Sequence, residues 1–200
     1  MADEQASAAA GGRQQRADAR SNRARVLDAA EQVFARGGES ASTEEVARLA
    51  GVGIGTVFRH FPTKAALLDE VLAGRFARLR RRAEKLAAAP DAGQAFFDFY
   101  AEVVADAAGK IAIGEALADA GGDLTGVAAT ASDGLRHSFG VLLRRAQDAG
   151  AVRDDIGLPE VYALLIGSSR AAAFSSLDQE VNRRAMGIIF DGLASSRQRD

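Results

Sequence analysis

Residues 51–64 read GVGIGTVFRHFPTK, and their types and spacing allow two chemistries. Three glycines at alternate positions can wrap a phosphate in free backbone N–H groups, which is how many nucleotide sites begin. Thr56, Arg59, His60 and Lys64 can instead be offered to a nucleic acid as hydroxyl, guanidinium, imidazole and ammonium donors. A phosphate cradle needs a strand that delivers the glycines to a helix N-terminus. Here the preceding residues are STEEVARLA, which read as a capped helix. No Gly-Lys-Ser/Thr is present, and the spacing is Gly-x-Gly-x-Gly instead of Gly-x-Gly-x-x-Gly. The stretch fails the context test for a nucleotide site, and the second chemistry stands.

The elements that must position these side chains are helices. Val26, Leu27, Ala30, Val33 and Phe34 recur at helical spacing from Ser21 onward, with Gly37-Gly38 as a stop. Ser42 and Glu45 form a capping box ahead of a helix of about eight residues with Val46, Leu49 and Ala50 on one face. Gly51 and Val52 make a tight turn, and a third helix runs from about Ile54 to Phe61 with Val57 and Phe61 inward. Thr63 then caps a long helix with the stripe Leu67, Leu68, Val71, Leu72, Phe76, Leu79 and Leu86. At 1.5 Å per residue that helix is roughly 35 to 40 Å long, enough to join two modules. Beyond Pro90 further helical patterns follow, and no alternating β-branched run occurs. The fold expected is all-α, with about nine helices and no sheet.

Two short helices joined by a glycine turn match the helix-turn-helix, whose second helix enters the major groove by its N-terminal residues. With Val57 and Phe61 buried, Ile54 and Thr56 can meet base edges or thymine methyls, while Arg59 and His60 can reach phosphates. Gly55 lets the backbone approach the duplex. Lys64 and the hydroxyl of Thr43 each sit at a helix start, where free N–H groups add to what they offer a phosphate. Phe58 has two readings: an aromatic packed on sugar or methyl groups, or part of the module's small core.

The stretch VARLAGVGIGTVFRHFPTKAALLDEV closely resembles the DNA-binding segment of tetracycline-repressor-like regulators, strongly over about residues 21–72. RAQDAGAVRDDIGLPEVYALLIG is similar to the penultimate helical region of the same family. The resemblance implies a homodimeric, all-α transcription factor, usually a repressor, that leaves a palindromic double-stranded DNA operator when a small-molecule effector binds its C-terminal half. Two positions depart from the family pattern: Gly53 stands where Ser is common, weakening a cap by about a few tenths of a kcal/mol, and Phe58 stands where Tyr is usual. On this basis residues 1–20 are a flexible basic arm, 21–66 a helix-turn-helix DNA-binding domain, and 67–200 a helical ligand-binding and dimerisation domain.

In the C-terminal half, Phe96, Phe99, Tyr100, Phe139 and Tyr162 are candidates to line an apolar ligand cavity, with Glu102, Arg136 or His137 to orient a guest. The same aromatic stripe also fits an ordinary core. Gly167, Ser168, Ala171 and Ala172 form a small-residue face which, with Val181, Ala185, Ile188 and Gly192, suits a four-helix dimer interface. The alternative function is a helix-turn-helix regulator whose C-terminal half binds a protein partner instead of a small molecule.

Composition narrows the remaining classes. There is no cysteine, and the two histidines lie far apart, so no metal site or cofactor is expected. His137 and Ser138 are neighbours on a helix and do not face each other, so no nucleophile and base pair is visible and an enzyme is not expected. Asp3 and Glu4 stand where a signal peptide is basic, and no apolar run approaches the ~20 residues of a membrane span. A cytoplasmic protein with no membrane partner is expected. Residues 1–85 carry 15 basic and 11 acidic side chains, residues 86–200 carry 10 and 16, so the positive charge lies with the quoted motif.

Overall fold

The computed structural model describes residues 2–37, 40–174 and 178–195; Gly38, half of the expected glycine stop, and Met1 lie outside them. Nine helices are present among the described residues: α1 Ala2–Gly37, α2 Thr43–Ala50, α3 Ile54–His60, α4 Lys64–Leu86, α5 Ala92–Ala105, α6 Ala107–Asp119, α7 Val127–Asp148, α8 Leu158–Phe174 and α9 Gln179–Leu193. The all-α expectation holds. An antiparallel bridge, Val152 to Ala194, ties the end of α9 to the turn after α7. None of the described helices is long and apolar enough to cross a membrane.

One difference lies at the start. The helix expected from Ser21 runs back to Ala2, through the stretch read as a flexible arm. Alanine, arginine and glutamine dominate that stretch and all favour helix, whereas the sequence reading relied on apolar periodicity, which is missing there. Arg13 and Arg16, two of its arginines, lie outside the residues whose side chains are described.

α1 to α3 form a small head closed by Val26, Ala30, Phe34, Val46, Val57 and Phe61, all buried. α4 leaves this head and continues into the body, burying Leu67, Leu68, Val71, Leu72, Phe76 and Leu79 as its stripe anticipates. Its 23 residues make a rod of roughly 35 Å. Thr63 caps it, accepting a hydrogen bond from Ala66 N at 3.0 Å.

In the body α5, α6 and α7 pack against α4, and α8 packs on α5 and α6. Phe96, Phe99, Tyr100 and Phe139 are fully buried there, Phe96 and Phe139 with ring centroids 5.6 Å apart. The start of α7 is fixed from a distance. Gly126 provides no side-chain cap, and Asp69 of α4 accepts from Val127 N at 3.0 Å and Ala128 N at 3.1 Å instead. A Cβ at Gly126 would lie 2.3 Å from an Asp69 oxygen, so the approach needs glycine.

Candidate functional site

The head is built around the turn between α2 and α3. Ser42 Oγ accepts from Glu45 N at 3.2 Å, giving the expected cap. Gly51 ends α2 in the left-handed region at φ 65°, and Val52 N donates to Ala47 O at 3.0 Å. α3 starts at once behind Gly53, which offers no side-chain cap. Val57 and Phe61 are buried and anchor the inner face. The outer face therefore carries Ile54, 38% exposed, Phe58, 42% exposed, and Arg59, also exposed. The open choice for Phe58 is resolved: its ring faces outward.

Leu49 departs from expectation at 48% exposed. The buried residues of α2 are Thr43, Val46, Ala47 and Ala50, an arc that leaves Leu49 just beyond its edge. Leu49, Ile54 and Phe58 thus give the outer side of the head three exposed apolar side chains. A Cβ at Gly55 would meet nothing within 4 Å. The protein's own packing does not call for glycine there, so the open side is free for something else to approach. Thr56 and His60 are half-buried, His60 with its ring 6.3 Å from that of Phe61.

Lys64 does not sit as expected. Its Nζ donates to Ala41 O at 3.2 Å and lies 5.0 Å from the centroid of the Phe34 ring. The four-carbon stem reaches back across the head and brings the ammonium to the Ala41 carbonyl and the Phe34 ring. Thr43 is similarly reassigned: it is 9% exposed, and its hydroxyl donates to Glu44 Oε2 at 3.4 Å.

The body contains a cavity of about 450 Å³ between α4, α5, α6, α7 and α8. Phe99, Phe139 and Tyr162, three of the five predicted residues, line it. Phe96 and Tyr100 do not. They belong to the aromatic core behind it, where Tyr100 OH lies 3.1 Å from Ser168 Oγ, and burial raises the phenol's pKa against the lowering effect of that hydrogen bond. Nor do the predicted polar groups reach it. Glu102 pairs with Arg82 on the surface at 2.9 Å, Arg136 is exposed and lies over the Tyr162 ring at 5.1 Å, and His137 is exposed. The polar lining comes from Lys110, Glu115, Ser132, Ser169 and Arg170, none of which the aromatic pattern singled out. One signal was available: Lys110 is the single charge in AAGKIAIG, an otherwise apolar stretch.

Residues 91–195 match the family described as transcriptional regulator SbtR-like, C-terminal domain, and residues 26–71 match bacterial regulatory proteins, tetR family. The chain belongs to the tetR family of bacterial regulatory proteins. A TetR transcription regulatory protein from Mycobacterium vanbaalenii is 39% identical, with 90% of this chain and 99% of that one covered and a TM-score of 0.72. The TetR transcriptional regulator SCO0520 from Streptomyces coelicolor is 28% identical, with 87% and 99% covered and a TM-score of 0.71. The HTH-type transcriptional repressor KstR of Mycobacterium tuberculosis is 37% identical over 71 residues, 35% of this chain and 32% of the repressor. That match spans about a third of the repressor's length.

In this tetR-family chain the head and the cavity share supports. Asp106, between α5 and α6, accepts from Arg75 Nη2 of α4 at 2.5 Å, and Arg75 Nη1 is 3.3 Å from Glu31 of α1. Lys110 lies one turn beyond Asp106 on α6. On the far side, Leu164, Val181 and Ile188 are exposed, Ile188 at 72%, and Gly167, Ala171, Ala185 and Gly192 are exposed with them. Ser168 departs from the small-residue face, since its hydroxyl turns toward Tyr100.

Proposed function

We propose that this chain is a DNA-binding transcriptional regulator of the repressor type, acting as a homodimer on an inverted-repeat operator and released by a small molecule held in the body cavity. The observation that carries the reading is α3: two inward anchors, Val57 and Phe61, leave Ile54, Phe58 and Arg59 outward on the second helix of a helix-turn-helix. Ile54, Phe58 and the half-buried Thr56 supply base-edge and methyl contacts, and Arg59 and His60 supply phosphate contacts. Gly55 admits the duplex backbone. Thr43 contributes through the backbone at the start of α2, and Lys64 holds the head together beneath them.

Two copies are needed because a single short helix reads too few base pairs. The exposed apolar and small residues of α8 and α9 fit a second copy of the same chain, pairing four helices across a twofold axis. The cavity favours a small molecule over a protein partner, since its volume lies within the range of enclosed ligand sites, about 300–1,000 Å³. α6 carries Lys110 into the cavity and begins at Asp106, which Arg75 holds to α4, the helix that starts in the head. An occupant that moves α6 thereby has a route to the spacing of the two α3 helices. The test is to retain fragments of a random genomic library on the purified protein and sequence them. Recovery of a shared inverted repeat is expected; recovery of unrelated fragments in proportion to their length contradicts the reading.

A further inference from the structure

The charged groups lining the cavity are Lys110, Glu115 and Arg170, against walls supplied largely by side chains such as Phe76, Phe99 and Phe139. Glu115 and Arg170 are exposed, whereas Lys110 is half-buried. Among the described residues Lys110 makes no hydrogen bond and no ion pair. The acidic group that acts on it is Asp106, one turn back at the start of the same helix, and Asp106 is already held by Arg75 at 2.5 Å. An ammonium taken out of water without a counter-charge is an unfavourable arrangement. Burial lowers the Lys110 pKa, Asp106 restores part of it, and Arg75 lowers it further.

Two other parts of the fold carry less. The pocket beside Arg75 and Glu31 is lined almost wholly by polar and charged side chains, and these two are paired with each other. The open face of α8 and α9 is accounted for by the second copy.

We propose that the cavity takes an apolar molecule with a single anionic head, a carboxylate, whose charge is met by the ammonium of Lys110, with the hydroxyls of Ser132 and Ser169 as neutral donors on the facing helices α7 and α8. This rests on the reading of the cavity as a ligand site and adds the class of its ligand. The three charged lining groups sum to +1, which favours one negative charge and not two. The volume of about 450 Å³ holds on the order of fifteen non-hydrogen atoms at water's share of about 30 Å³ each. That is the size of a medium-chain fatty acid or a substituted aromatic acid, and both present the same head.

The experiment is calorimetric titration of the full-length protein, without DNA, with dodecanoate and with dodecan-1-ol, for the wild type, Lys110→Met and Lys110→Arg. A charge-assisted hydrogen bond of about 1.5–3 kcal/mol corresponds to an acid preference of roughly 10- to 150-fold. The wild type and Lys110→Arg are expected to show it, and Lys110→Met is expected to lose the preference. Equal binding of acid and alcohol by the wild type, or a preference that survives in Lys110→Met, overturns the proposal alone. Failure of both probes to bind the wild type overturns it together with the cavity's role as a ligand site. Should Lys110→Met not fold, the wild-type comparison still decides.

Discussion

Arg75 Nη2 lies 2.5 Å from Asp106 Oδ1, joining the middle of α4 to the joint between α5 and α6. Arg75 is only 11% exposed at its side chain, and the same guanidinium lies 3.3 Å from Glu31 of α1. One side chain thus ties the helix that leaves the head, the first helix of the head and the helix that carries Lys110 into the cavity. A Cβ at Gly109 would come within 2.8 Å of Arg75 Nη1, so the glycine leaves the guanidinium its room.

Because the pair is largely shielded, removing Asp106 leaves the Arg75 guanidinium with Glu31 as its one remaining carboxylate partner among the described residues. Asp106→Ala is expected to lower the unfolding free energy by about 2–4 kcal/mol, and Arg75→Met with Asp106→Leu together by clearly less. Urea denaturation of the three proteins checks this; a double variant no more stable than Asp106→Ala contradicts it.

The cap on α7 makes a separate expectation. Asp69 serves Val127 N and Ala128 N from another helix, so Asp69→Ala is expected to cost about 1–2 kcal/mol, within the range for lost N-caps. Gly126→Ala should be at least as harmful, given the 2.3 Å approach to Asp69. Thermal melts showing either variant unchanged would remove this link between α4 and α7.

Arg59 and Lys64, both basic and five residues apart, should separate experimentally. Arg59→Ala is expected to weaken binding on all operators alike and to reduce the slope of log affinity against log salt by about 0.9, one phosphate contact. Lys64→Ala is expected to leave the slope unchanged and to lower head stability by about 1 kcal/mol, because its ammonium bonds Ala41 O. The reverse pattern would return Lys64 to the DNA.

Gly55 divides stability from binding. With nothing within 4 Å of an added Cβ, Gly55→Ala should leave stability unchanged or raise it by up to about 1 kcal/mol, while Gly55→Leu should cut operator affinity tenfold or more. Gel retardation of a selected operator measures the second effect. A leucine variant that binds normally would mean the duplex does not approach this face.

Much of this fold was legible because helices write their buried faces in the sequence: the stripe of α4 and the Val57–Phe61 pair needed only spacing. What escaped depends on distance in space. Lys64 was assigned to phosphate because its position at a helix start is visible, but the reach of its stem to Ala41 is not. Phe96 and Tyr100 share their pattern with Phe99 and Phe139, and only packing decides which ring lines the cavity. Asp69 caps a helix that begins 58 residues further on, and no local motif announces that. Thr56, Arg59 and His60 stand out by residue type and helical position; on α3 Arg59 is exposed, and Thr56 and His60 are half-buried.

The most direct measurement is a hydroxyl-radical footprint of the purified protein on an operator selected from the fragment library. The account expects two equivalent protected patches centred one helical turn, about 34–36 Å, apart or a multiple of it, related by the inverted repeat. Thr56→Ala should keep the patches on a changed base preference. A single unsymmetrical patch, or equal protection of scrambled DNA, would contradict paired reading of the duplex by α3.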